Sequence, residues 1–280
     1  MGGGPAGAST AAWSARAGLD VLLVEREHFP REKPCSEYLS PEAARDLDGL
    51  GILPEVEAGA MRLYGFRIVA DDGADVVGRF PSLPRSRPYR PYGLALPRSR
   101  LDALVLAAAA RAGAEVREGV RLEAVRREGG RVTGARLRCG DRCWEERARC
   151  VVGADGLHSR VARELGLARR AGPRRLALVA HYDGVEGMAD YGEMFVRRGR
   201  YLGLASIGAD LVNVAAVVPA REAPRLARDP EGFLRAEAAA VPELARRLAR
   251  ARVVRHVMVA GPFARTSRRS VADGALLVGD

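Results

Sequence analysis

Lysine is almost missing from this chain. Lys33 is the one lysine among 45 basic residues, and every other basic residue is arginine. Cysteine is scarce too: Cys35, Cys139, Cys143 and Cys150 form no Cys-x-x-Cys pair, and the four histidines lie far from them in sequence, so no zinc set can be assembled. Cys139 and Cys143 flank Gly140-Asp141-Arg142 and are placed to face each other across a hairpin. Aromatic residues make up 5% of the chain. No apolar run reaches the length that crosses a bilayer, and nothing like a secretory leader precedes the first motif. The expected setting is a reducing cytoplasm, with peripheral contact to a membrane surface left open.

The charge is lopsided, at +10, but it is not concentrated. Arginines run from Arg16 to Arg269 and mostly alternate with Ala, Glu and Asp. A nucleic-acid binder gathers its basic residues into a stripe. This pattern instead reads as a solvated surface written by a GC-rich genome, and no nucleic-acid partner is expected. A chain of 280 residues that is 48% hydrophobic has the material for one or two folded domains.

The most informative segment comes first. Gly2-x-Gly4-x-x-Gly7 opens a helix rich in small residues, expected from about Pro5 to Ala17 with Gly18 as its C-terminal cap. Leu19 to Val24 reads as a buried strand, and Glu25 ends it, 18 residues after Gly7. Gly2 permits a tight turn, Gly4 lets backbone approach a pyrophosphate, and Gly7 lets helix and sheet pack closely. The helix start offers free N–H groups to phosphate, and an acid at the end of the second strand suits ribose hydroxyls.

Further along, Phe29 to Pro41 is a loop rich in proline and charge. Ser40 is expected to cap a helix running to about Leu50, and Ser99 to cap another ending near Gly113. Segments 120–126, 131–138 and 143–151 form a β-meander with turns at Gly129-Gly130 and Gly140-Asp141. Strands are expected at Leu176 to Tyr182, Glu193 to Val196, Tyr201 to Ile207, Val212 to Val218 and Val253 to Ala260. His181 and Tyr182 read as core or wall residues of their strand. Two more strand ends carry acids beside glycine: Gly153-Ala154-Asp155-Gly156, and Gly279-Asp280 after Ala275 to Val278.

These three fingerprints, in this order, resemble the flavoprotein superfamily with the p-hydroxybenzoate hydroxylase fold. The resemblance extends over essentially the whole chain. The stretches Phe29 to Cys35, Leu39-Ser40-Pro41 and Leu96 to Asp102 are similar to its geranylgeranyl reductase-like branch. The resemblance implies an α/β fold: a Rossmann-like FAD-binding domain, made of a parallel sheet and the meander, interleaved with a mixed-sheet substrate domain. The FAD-binding domain is expected at 1–57, 97–168 and 271–280, and the substrate domain at 58–96 and 169–270.

The resemblance also implies roles. Gly2, Gly4 and Gly7 would line the pyrophosphate turn, and Glu25 would hold the adenosine ribose, with Arg26 near the adenine. Arg100 would serve the phosphates or ribityl chain, and Leu122 would contact adenine through its backbone. Asp155 and Gly156 belong to a motif tied to both FAD and NAD(P)H. Gly279 and Asp280 would lie at the ribityl chain, and Cys35 is a candidate at the substrate side of the flavin.

The chain departs from this pattern at both ends: it has neither a strand before Gly2 nor a helix after Asp280, which reads as truncation and predicts poor FAD binding until the chain is extended. Ser36 stands where the branch often has Gly, and a halogenase's catalytic lysine has no candidate beyond Lys33. Three readings stay open: a reductase of a hydrophobic isoprenoid or polyketide-type molecule with NAD(P)H as donor, a monooxygenase on the same scaffold, and a non-catalytic fragment.

Overall fold

A computed structural model of the chain describes residues 1–80 and 88–279. The architecture is α/β, with parallel and mixed sheets, and the chain divides into two compact units. The first comprises Met1–Arg31, Ser99–Gly172 and Ala264–Asp280; the second comprises Glu32–Arg98 and Pro173–Phe263. Residues 32–57, grouped with the cofactor on sequence, fall by compactness in the second unit.

In the first unit, short strands run parallel in two pairs: Leu22–Val24 with Glu115–Arg117, and Val151–Gly153 with Ala275–Leu277. The backbone of Met1 and Gly2 joins them. Gly2 N donates to Val24 O at 2.8 Å, and Ala154 N donates to Met1 O at 2.8 Å. The helix Pro5–Arg16 buries Gly7, Ala8, Ala11 and Ala12. That stripe carries no side chain larger than a methyl group, so the helix can lie close to its neighbours. Gly18 follows with φ 80°, the left-handed cap expected of it.

The meander is present as Arg121–Glu128, Arg131–Cys139 and Arg142–Arg147. Leu137, Ala135 and Val120 form its core with Val24. The hairpin register pairs Cys139 with Arg142 and Cys143 with Arg138. The two cysteines are thus one position out of register and point to opposite faces, and all four thiols are free.

The second unit is built on a seven-stranded sheet. Its order is Arg252–Ala260, Arg175–Asp183, Leu211–Pro219, Arg200–Ser206, Gly192–Arg197, Gly65–Ala70, Asp75–Arg79. Only the pairing of Gly192–Arg197 with Gly65–Ala70 is parallel. Alternation places Leu176, Leu178, Ala180 and Tyr182 on one face, opposite Val212, Val214, Ala216 and Val218. The helices Pro230–Ala239 and Pro242–Arg247 cover that face with Phe233, Leu234 and Leu244. Each such side chain contributes roughly 1.5–3 kcal/mol when fully buried.

Two capping expectations change. The helix Ala43–Gly49 starts later than expected: Ser40 Oγ accepts from Ala43 N at 3.3 Å, while Pro41 sits in the turn before it. The helix Arg98–Arg111 starts one residue before Ser99, so Ser99 lies inside it. The Arg98 N–H is taken instead by Glu37 Oε1 at 3.1 Å, an acceptor supplied from a distant loop.

Candidate functional site

The first unit brings its sequence fingerprints to one place. Gly2 has φ 102°, and a Cβ there would lie 2.4 Å from Ala154 O. A Cβ on Gly7 would lie 1.9 Å from Gly2 O and 2.9 Å from the Ala154 side chain. The turn therefore packs directly against the strand end that carries Asp155. Gly279, with φ 75°, closes on the same helix: a Cβ on it would meet Ala6 at 2.9 Å.

Gly4 differs from the other two. It is the extended N-cap of the helix, and no side chain caps that end. A Cβ on Gly4 would meet only Arg31 Nη2, at 3.6 Å. Space, uncapped N–H groups and a guanidinium thus converge, an arrangement that attracts a phosphate group.

Glu25 is 7% exposed and braces the turn directly. Its Oε2 accepts from Gly3 N at 2.7 Å, and its Oε1 accepts from Glu27 N at 2.9 Å. Each oxygen keeps a lone pair for a further donor such as a ribose hydroxyl. Asp155 behaves similarly. Its Oδ2 accepts from Arg160 N and Val161 N at 2.6 and 3.1 Å, capping the helix Arg160–Glu164, while its Oδ1 is buried without a partner among the described residues. The Leu122 carbonyl accepts from Arg160 Nη1 at 3.3 Å, which ties the meander to this corner. Gly156 adopts φ 77° in the turn between strand and helix.

Arg31 is a further candidate, one that no motif marks in the sequence. Its side chain is 12% exposed; it lies 3.1 Å from Asp102 Oδ2 and 4.8 Å from the Phe29 ring centroid. Asp102 is fully buried in the first turns of the helix Arg98–Arg111. The stretch Arg100-Leu101-Asp102 thus reaches the glycine turn through Asp102 and Arg31, and Arg100 is exposed. Arg26 is exposed and pairs with Glu27. Cys35 belongs to the second unit, and Asp280 lies outside the described residues.

These residues fit a dinucleotide whose pyrophosphate takes the turn and whose hydroxyls take the acids. The comparisons agree. Residues 1–225 match a family described as FAD binding domain. The chain is 32% identical to digeranylgeranylglycerophospholipid reductase 2 of Methanopyrus kandleri, covering 100% of this chain and 68% of that protein. It is 37% identical over 168 residues to menaquinone reductase of Mycobacterium tuberculosis, a match that spans 59% of this chain and 39% of that enzyme.

Among solved structures, the myxobacterial chondrochloren halogenase superposes with a TM-score of 0.90 at 25% identity, over 99% of this chain and 66% of that one. A geranylgeranyl bacteriochlorophyll reductase-like protein from Thermoplasma acidophilum gives 0.78 at 22% identity, over 99% and 68%. The glycine turn, the braced acid and these matches converge: the chain belongs to the FAD-binding domain family of flavoproteins and is related in sequence to its geranylgeranyl reductase-type members.

Proposed function

We propose that this chain is a cytoplasmic FAD-dependent oxidoreductase of the geranylgeranyl reductase type, acting on a hydrophobic small molecule with NAD(P)H as electron donor. The observation that carries this reading is the Gly2-Gly4-Gly7 turn, braced by Glu25 and open beside Arg31. In this assignment the first helix turn and Arg31 hold the pyrophosphate, with Arg100 and Gly279 as further contacts. Glu25 accepts from the adenosine ribose, and the Leu122 backbone lies toward adenine. Asp155 Oδ1, buried and unpartnered among the described residues, accepts from a cofactor hydroxyl. Asp280 is assigned to the ribityl chain from sequence alone.

When bound, FAD would supply hydride and electron transfer. The chain's own work is to bind, orient and exclude water. The first unit is assigned to the cofactor and the second to the substrate. Among the described residues no helix is long and apolar enough to cross a membrane.

The test is anaerobic turnover of a prenylated lipid or quinone with NADPH, followed by mass analysis. A product two hydrogens heavier supports the reductase. In a parallel aerobic assay, incorporation of oxygen from labelled O₂ supports the monooxygenase alternative, which draws on the likeness to flavin halogenase structures.

A further inference from the structure

The strand Arg175–Asp183 sends its even-numbered residues into the apolar core of the second unit. Its other face carries Ala177 and Val179, and then His181. His181 lies opposite Asn213 on one neighbouring strand and opposite Arg255 on the other. Directly paired residues share a face, so three strands set a polar rung side by side. His181 is 4% exposed and Asn213 2%, and the Arg255 side chain is 13% exposed.

Loop 32–37 lies along this rung. Glu32 Oε2 accepts from Arg255 Nη1 at 2.7 Å. Glu37 Oε2 is 2.6 Å from His181 Nε2, and its Oε1 is 3.5 Å from Arg255 Nη1. Cys35 O accepts from Asn213 Nδ2 at 2.8 Å. Glu37 takes the left-handed region, φ 59°, in a non-glycine residue, and its carbonyl also accepts from Leu96 N.

Three atoms of this cluster are buried with no partner among the described residues: Arg255 Nε, Arg255 Nη2 and Asn213 Oδ1. Nε and Nη2 share one edge of the guanidinium, the edge that grips an oxygen acceptor with two parallel N–H bonds. Leaving that edge and an amide oxygen bare in a protein interior costs more than an ordinary hydrogen bond returns. The charge of Arg255 is already met by Glu32 and Glu37, so a further anion would bring surplus negative charge. A neutral carbonyl oxygen satisfies the fork without it. Asn213 Oδ1 requires the reverse, a hydroxyl or N–H donor. The two side chains start on strands roughly 10 Å apart at the backbone, two strand spacings, which suits a ring bearing polar groups at opposite ends.

We propose that Arg255 and Asn213, held in place by the Glu37–His181 pair, form a binding site for a neutral ring ketone that also bears a hydroxyl group. The carbonyl oxygen takes the Arg255 fork, and the hydroxyl donates to Asn213 Oδ1. The site makes the ligand an oxygenated ring, not a bare hydrocarbon. It rests on the proposed oxidoreductase reading only in calling that ligand the substrate.

The test is calorimetric titration of the full chain, with and without FAD, using 6-hydroxy-1-tetralone, 1-tetralone and tetralin. The hydroxyketone is expected to bind at least tenfold more tightly than tetralin. Arg255→Lys keeps the charge beside Glu32 and Glu37 but removes the fork, and it should abolish the preference of 1-tetralone over tetralin. Asn213→Leu should remove only the gain from the hydroxyl. Urea unfolding of each variant guards against loss of fold.

The proposal is overturned if tetralin binds equally well or if Arg255→Lys leaves the preference intact. Displacement of the ketone by benzoate or inorganic phosphate at lower concentration would make this an anion site and also overturn it. Absence of binding would mean that water serves these atoms. Ketone selectivity in a chain that takes no FAD would leave the site standing and remove the oxidoreductase reading; FAD binding without selectivity would do the reverse.

Discussion

A methyl group at Gly7 has nowhere to go. Its nearest neighbours would be the Gly2 carbonyl and the Ala154 side chain, at 1.9 and 2.9 Å, both fixed by backbone. Gly7→Ala is therefore expected to destabilise the chain by about 1–3 kcal/mol, the usual cost of overpacking, and to abolish FAD binding. Gly18 is the control. It also has positive φ but nothing within 4 Å, so Gly18→Ala should cost about 1–2 kcal/mol, from backbone strain alone, and leave FAD affinity unchanged. Urea unfolding and flavin fluorescence quenching read the two effects separately.

Glu25→Gln keeps the shape of the brace but loses its charge. A hydrogen bond to a charged group is worth about 1.5–3 kcal/mol, so FAD should bind roughly tenfold or more weakly. An unchanged affinity in that variant would show that Glu25 only holds the turn.

At the scale of elements, side chains from distant segments decide what local pattern leaves open. The helix Arg98–Arg111 was legible from its apolar spacing, yet its start was misplaced because Glu37 supplies the acceptor for Arg98 N. No local signal marks that partner. The same holds for Arg31 with Asp102 and for Glu37 with His181, which are 144 residues apart. The glycine turn, the meander and the strand-end acids Glu25 and Asp155 were legible because each is specified within a few residues. The cysteine pairing across the hairpin was misjudged by one position, enough to reverse a side chain's face.

Elements of the second unit are also tied by charge. Arg67 reaches Asp75, Glu193 and Glu243, while Arg247 bonds Glu193 and Glu243. The hydrogen bond from Arg67 holds the Glu243 carboxyl below its ordinary value of 4.5, and Arg247 adds to the effect. A carboxyl depressed in the folded state binds protons more readily once unfolded. Its contribution is therefore present above pH 4.5 and is lost as pH falls through the lower folded value. Urea midpoints measured downward from pH 6 should fall in acid, and Glu243→Gln should flatten that fall.

For the molecule as a whole, the scarcity of lysine and the +10 charge say little about function. Arginines are widely spent on carboxylates, as at Arg67, Arg200 and Arg247. The proposed cofactor site lies where three sequence-distant strand ends meet the first helix. The chain spans 39% of the menaquinone reductases and 68% of the Methanopyrus reductase it matches, so activity is a question separate from cofactor binding. The central claim is that the glycine turn is a dinucleotide site, and titration of the purified chain with FAD tests it most directly. The account predicts saturable one-to-one binding, displaced by ADP and lost in Gly7→Ala. Binding that Gly7→Ala leaves untouched, or no saturable binding at all, would contradict it.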